Sequence, residues 1–261
     1  MGDALVRAVV FLALVVLLGI AERLWPRHAA APHRRQRWPV NFVLGAINVF
    51  SVRVLLPWVA VDAARWAQLH GVGLLPWIGL PAMPSLIVAM LCLDLCVYGQ
   101  HRLMHRVSIL WCLHRVHHTD VSLDLSSAVR FHPLEILFSM MVKITAVLML
   151  GASPTAVLGF EVLLSAFSLL THANVAIPSR IDHMVRAVFV TPDMHRIHHS
   201  VRRAERDRNF GFQISWWDRL FGSYLRDPQA PLATMRIGLD DFRSPADQRL
   251  RALLTEPLAP L

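Results

Sequence analysis

Residues Ser85–Arg106 read SLIVAMLCLDLCVYGQHRLMHR. From Ser85 to Gly99 the run is apolar apart from Asp94, which reads as a membrane span, and it leads straight into His101 and His105. At about 100° per residue, the 4-3-4 spacing of Asp94, Tyr98, His101 and His105 sets all four on one stripe of a helix. An ionisable group at the edge of a bilayer is costly and usually has a functional partner. Asp94 is expected either to orient a ligand histidine or to pair with an arginine such as Arg102 or Arg53.

Working outward, the stretch from His101 to Pro133 is polar and rich in histidine. Two apolar runs follow, Leu134 to Leu150 and Thr155 to Leu170, split by Gly151-Ala152-Ser153-Pro154. So short a break makes an antiparallel helical hairpin. Toward the N-terminus, Ala4 to Ile20 is apolar except for Arg7. It is read as a first span because Met1-Gly2-Asp3 lacks the basic start of a signal peptide and the run is long. Val40 to Val61 is a poorer span, holding Asn41, Asn48 and Arg53, and Gly71 to Pro84 is a turn or re-entrant piece. Trp216, Trp217, Phe221 and Tyr224 suit a membrane interface or a lid over a lipid site, with a soluble core helix as the alternative. Beyond Gln229 the chain reads as a loosely structured tail.

Composition agrees. The chain is 55% apolar and 17% charged, against about 45–50% and about 25% in soluble domains. The formal charge of +8 is almost all arginine, with Lys143 the single lysine. The arginines flank apolar segments and form no basic stripe with interleaved aromatics, so nucleic acid is not an expected partner. Cys92, Cys96 and Cys112 make no disulfide framework and read as small apolar residues.

The expected fold is all-α, a membrane bundle of about four or five spans with a cytoplasmic, histidine-rich helical cap. Its expected divisions are 1–84, N-terminal spans and re-entrant segment; 85–225, catalytic domain; and 226–261, C-terminal tail. Arg27, Arg34, Arg35 and Arg37 place the first loop in the cytoplasm. Counting spans from there puts His101–His118 and His195–His199 on that same side.

Histidine supplies 14 of 261 residues. His101 and His105 are four apart; His114 has partners three and four residues on, His117 and His118; His195 has the same, His198 and His199. Each cluster aims its imidazoles at one spot of a helix face, and neutral imidazole ligates Fe, Zn, Cu and Ni. The H-E-x-x-H signature is absent and no glutamate has a histidine three residues later, so the site is nearly all nitrogen. Eight imidazoles exceed what one first-row ion binds, so two ions are expected.

The segments LDLCVYGQHRLMHR, LWCLHRVHH, AVRFHPLE, THANV and TPDMHRIHHS…NFGFQISWWDRLFGSY resemble the fatty acid hydroxylase/sterol desaturase superfamily over about residues 90–225. The boxes are specific in combination and weak singly. The resemblance implies a multi-span enzyme that uses a di-metal centre, O2 and electrons to hydroxylate or desaturate lipids. It implies two iron ions, which zinc can replace in purified protein, and the eight box histidines as ligands. His172 matches a further ligand position. Where some relatives carry a histidine four residues later this chain has Ala176, a gap that water or His183 could fill.

His132 precedes Pro133 and is either a helix cap or a residue near the site. Asn174 and Asn209 are either donors around the metal site or ordinary loop turns. The expected reaction is oxidation of an acyl, sterol or isoprenoid chain drawn from the bilayer, with hydroxylation, desaturation and ether cleavage left open. No haem or flavin segment is evident, so electrons come from a separate reductase, ferredoxin or cytochrome b5-like donor. The lack of a C-terminal retrieval signal favours a bacterial inner membrane. A membrane metal transporter would need ligands along the spans, and a zinc-dependent membrane hydrolase would need Glu135 or Asp193 as a general base.

Overall fold

A computed structural model describes residues 2–28 and 34–260. The described residues are nearly all helical and hold no strand, only isolated bridges such as Pro26 with Val175 and Ser200 with Ile237. Five helices are long and apolar enough to cross a membrane: α1 (Gly2–Leu24), α2 (Arg34–Leu55), α5 (Ala82–Arg106), α7 (Pro133–Leu150) and α8 (Pro154–His172). Their outer faces keep Leu5, Leu12, Val16 and Leu17 of α1 and Phe50 of α2 exposed, as lipid-facing helices do. α1 buries a single residue, Glu22. The core lies between the other spans and is built from small and medium residues, Ala89, Leu93, Val147, Ala156, Val157 and Phe160. Such residues let membrane helices approach closely.

The second span ends earlier than the hydropathy suggests. α2 stops at Leu55, and α3 (Ala60–His70) starts afresh beyond Pro57. Proline lacks an amide hydrogen and disfavours helix at the residue before it. α3 buries Ala60, Ala63, Ala64 and Ala67 and leaves Trp66 partly exposed, as is Trp58 just before it. The expected turn beyond it contains α4 (Leu74–Trp77). It is pinned to the α7–α8 turn: a Cβ on Gly73 would stand 2.1 Å from the Gly151 nitrogen, and both glycines have positive φ, 114° and 65°. Only glycine meets both demands. This contact marks the end of the bundle opposite the histidines.

At the histidine end the first two spans are locked to the cap. Glu22 accepts hydrogen bonds from the Leu125 and Asn174 amides at 2.7 and 2.9 Å and pairs with Arg34 at 2.8 Å. Arg37 is buried between Asp120 and Asp124, with Nη2 to Asp120 Oδ2 at 2.8 Å and Nη1 to Asp124 Oδ2 at 3.0 Å. Although burial opposes ionisation of Asp120, Arg37 and Arg130 hold its carboxyl well below the usual range.

The C-terminal stretch departs from expectation. It is sparse in helix, with only α13 (Leu250–Thr255) and a 3-10 turn (Glu256–Leu258), but it is not loose. Arg115 donates to the carbonyls of Glu256, Ala259 and Pro260 at 2.6, 2.6 and 3.0 Å. Gln248 donates to the Thr119 carbonyl at 3.0 Å, and Leu253 is fully buried against Leu44 and Val116. A strap held mainly by backbone carbonyls has no hydrophobic period, so the sequence pattern cannot reveal it.

Candidate metal centre

α5 delivers His101 and His105 from its last turns. The backbone becomes extended at Val107, which ends α5 and starts α6 (Ser108–His118) at once. α6 carries His114, His117 and His118 back over the end of α5. His172 closes α8, and α10 (Pro192–His198) brings His195 and His198, with His199 as its cap residue. The α10 start is built locally: Thr191 Oγ1 accepts from the Met194 amide at 3.3 Å, and Pro192 takes the first helical position. All nine imidazoles are buried.

The nine divide into two groups whose candidate ligand atoms lie within 4.8 Å of one another: His101, His105, His114, His118 and His198 in one, and His117, His172, His195 and His199 in the other. The division cuts across the sequence boxes. His114 and His118 go to the five-membered cage while His117 goes to the four-membered one. In the last box His195 and His199 go to the four-membered cage and His198 crosses to the other. On each short helix the i, i+4 pair serves one cage and the residue between them faces the second.

A donor-acceptor argument tests the fit of metal to these cages. His101 Nδ1 donates to the Phe210 carbonyl at 2.7 Å, and His114 Nδ1 to Glu135 Oε1 at 2.7 Å. A neutral imidazole has one N–H, so both Nε2 atoms carry lone pairs. Those Nε2 atoms nevertheless stand 3.1 Å apart. His117 donates to the Arg130 carbonyl at 3.2 Å and His172 to the Ser168 carbonyl at 2.7 Å, and their Nε2 atoms are also 3.1 Å apart. Facing lone pairs repel unless a cation lies between them. Imidazoles bound at about 2.0–2.1 Å to one ion, with ordinary bond angles, hold their nitrogens about 3.0–3.4 Å apart. His105 Nε2, His198 Nε2 and both His118 nitrogens are buried with no hydrogen-bond partner; metal ligation would satisfy the first two and one nitrogen of His118. The residues fit two metal ions.

Burial, reinforced by neighbouring imidazoles, holds His117, His118, His195 and His199 well below the ordinary histidine range; His198 is lowered to about 3 by burial. The rings stay neutral, as ligands must. His105 Nδ1 contacts Asp207 Oδ1 at 3.2 Å and His198 Nδ1 donates to the Arg208 carbonyl at 2.8 Å. The 208–210 loop thus positions two ligands through its carbonyls. It is shaped by Asn209 at φ 54°, whose amide donates to the Met194 and Leu225 carbonyls, and by Asp218, which accepts from the Phe210 and Gly211 amides at 2.8 and 2.9 Å. A Cβ on Gly211 would meet Asp218 Oδ2 at 2.9 Å.

The remaining candidates fall elsewhere. Asp94 Oδ2 accepts from Trp217 Nε1 at 2.8 Å and the Ile214 amide at 3.3 Å, so it anchors the aromatic segment to α5 and neither orients a histidine nor pairs with Arg102 or Arg53. Tyr98 shares a 2.7 Å hydrogen bond with Ser223 and stacks on Phe221. His132 caps α7, accepting from the Leu134 amide at 3.2 Å. His183 is exposed beside Arg226 and reaches neither cage. Asn174 ties His28 and Arg196 together. Glu135 and Asp218 escaped the sequence reading as supports. Glu135 had a signal, a carboxylate in the first turn of a span just beyond His132-Pro133; Asp218 had none.

A cavity of about 410 Å³ opens below His101, His114, Phe131 and Glu135 and runs between the spans. Its walls include Phe11, Val97, Met104, Ile136 and Leu164.

The family model described as fatty acid hydroxylase matches residues 86–223. The chain is 26% identical over 230 residues to an ornithine lipid hydroxylase of Rhizobium tropici, covering 85% of this chain and 67% of the relative. It is 31% identical over 139 residues to alkylglycerol monooxygenase of Homo sapiens, covering 52% of this chain and 29% of the relative. Against the Danio rerio alkylglycerol monooxygenase it is 29% identical over 163 residues, 59% of this chain and 35% of the relative. No solved structure matches significantly.

Proposed function

The chain belongs to the fatty acid hydroxylase family, and from that premise we propose that it is an O2-dependent membrane lipid oxygenase with two irons in its imidazole cages. The observation that carries this reading is the facing of lone pairs at 3.1 Å within each cage, directly above a cavity between membrane helices. Bound there, a di-iron centre supplies the oxidation of an unactivated C–H bond, which no side chain performs.

The chain's own residues hold and shield that centre. Backbone carbonyls of Phe210, Arg130, Ser168 and Arg208 fix ring orientation and tautomer. Glu135, against His114, adds negative charge that favours a cation in the five-membered cage. The four-membered cage has no fifth imidazole at Ala176 or from His183, so it is the cage with room for an exchangeable ligand. The cavity admits part of a lipid from the bilayer; the names of the relatives, an ornithine lipid hydroxylase and an alkylglycerol monooxygenase, support a polar lipid as substrate. Electrons come from a separate donor, a ferredoxin or cytochrome b5-like protein. The arginines around α2's start support a cytoplasmic histidine end, and we read the membrane as a bacterial inner membrane. A metal transporter fits less well, because all nine imidazoles sit at one end of the bundle.

Lipid analysis of cells with and without the protein, grown under 18O-labelled dioxygen, tests the proposal. An oxygen-labelled lipid that depends on His117 and His198 supports hydroxylation or ether cleavage, and a lipid two daltons lighter supports desaturation. Unchanged lipids in cells with metal-loaded protein and a working donor overturn it.

A further inference from the structure

Two polar stripes face the cavity. On α7, Glu135, Ser139 and Lys143 recur every four residues; on α8, Glu161, Ser165 and Ser168 are spaced 4 and 3. Each set lies along one face of its helix, and Gln100 of α5 joins them. Gln100 Nε2 donates to Ser139 Oγ at 2.5 Å. Deeper in, Lys143 Nζ pairs with Glu161 Oε1 at 2.9 Å, and Arg7 of α1 lies 2.8 Å from Glu161 Oε2. At 1.5 Å per residue, Ser139 stands about 6 Å and Lys143 about 12 Å below the level of Glu135. The polar lining therefore starts one helical turn from the metal end and continues well into the bundle.

A pocket for hydrocarbon alone has no use for this lining. Polar side chains inside a membrane bundle are expensive and mark substrate pathways. A bare alkyl chain here would leave the Gln100 carbonyl oxygen and the Ser165 hydroxyl without a partner, at about 1–3 kcal/mol for each. The ion group at the deep end holds two cations to one carboxylate, which suits electron-rich oxygen atoms.

We propose that this cavity binds the oxygen-bearing part of a lipid, its hydroxyl, ether or acyl oxygens, so that the carbon presented to the metal end lies a few bonds from oxygen. Gln100, Ser139 and Ser165 are the specificity residues, and the Arg7–Glu161–Lys143 group closes the site. This rests on the reading of the chain as a lipid oxygenase and names which part of the lipid enters.

Binding to the metal-loaded protein in nanodiscs, under argon and without an electron donor so that no turnover occurs, tests it, with 1-O-hexadecylglycerol and octadecane as probes read by native mass spectrometry. The expected result is retention of the glycerol ether at least about tenfold above octadecane, because a site built for hydrogen bonding rejects the analogue that lacks the group. Gln100→Leu with Ser139→Ala brings the ratio near one and leaves octadecane retention unchanged. If that double variant does not accumulate, Ser165→Val reads the same ratio. Equal retention by the unaltered protein, or a ratio that survives the substitutions, overturns the proposal. Loss of the oxygenase reading would instead show as unaltered lipids in cells while this ratio persists.

Discussion

His117 and His172 lie 55 positions apart in sequence, yet their Nε2 atoms meet at 3.1 Å, each ring already donating its Nδ1–H to a backbone carbonyl. The pair belongs to the four-membered cage, whereas His118, adjacent to His117, belongs to the five-membered one. On the proposed two-metal reading, neighbouring residues would serve different ions. Metal analysis of the purified protein is expected to give two equivalents per chain. His117→Ala and His118→Ala are each expected to lower it toward one, and to lose different sites. Spectra of cobalt-substituted protein separate the two losses. Identical spectra for the two variants would sink the division into cages.

Glu135 Oε1 lies 2.7 Å from His114 Nδ1 and would act through that ring on a bound metal. Removing such a partner typically costs about 10–100-fold in metal affinity. Glu135→Ala is expected to weaken one equivalent by that factor in a chelator competition and leave the other unchanged. Glu135→Gln keeps an acceptor without the charge and should lie between. An equal loss at both sites would show that Glu135 supports the fold rather than one ion.

Arg37 joins α2 to the cap by its bonds to Asp120 and Asp124. Breaking a buried ion pair from one side leaves an uncompensated charge and costs about 3–5 kcal/mol. Arg37→Ala is expected to lower the melting temperature in detergent by many degrees and to raise protease cleavage near residues 120–124. Arg65→Ala, at an exposed pair with Asp3 and Asp62, should shift it by little.

Glu256 sits in the C-terminal strap with its carboxyl pushed up to about 7 by burial. A carboxyl that holds its proton more tightly folded than unfolded stabilises the fold at low pH. That contribution fades as pH rises from the ordinary value, about 4.5, through the folded value. The protein is expected to lose stability between those pH values. Glu256→Gln should remove the loss and be more stable than the parent at pH 8, by an amount on the order of 3 kcal/mol, with little difference at pH 4. Melting curves across that range check it. A parent–variant difference independent of pH would point to packing instead.

The spans were legible because hydropathy and helical spacing are properties of neighbours in the chain. The clustering of the eight box histidines was legible for the same reason: residues three and four apart share a helix face wherever the helix is placed. His172 has no histidine three or four residues away, and only the family resemblance singled it out. Asp94 shows the limit. Its 4-3-4 stripe with Tyr98 and His101 is real, yet its carboxylate faces Trp217, 123 positions away. Periodicity says which residues share a face and says nothing of what packs on it. The strap beyond Gln229 was hidden because Arg115 holds carbonyls, which every residue possesses.

Local spacing along the chain thus settles that this is a helical membrane protein with clustered imidazoles at span ends. Only the folded arrangement decides which imidazole belongs to which cage, that Glu135 and the 208–210 loop orient them, and that one cage gathers five imidazoles and the other four. The reason is physical. A short helix can aim two residues at one point and a third at another, but where those points coincide with groups from other helices depends on packing across the whole bundle.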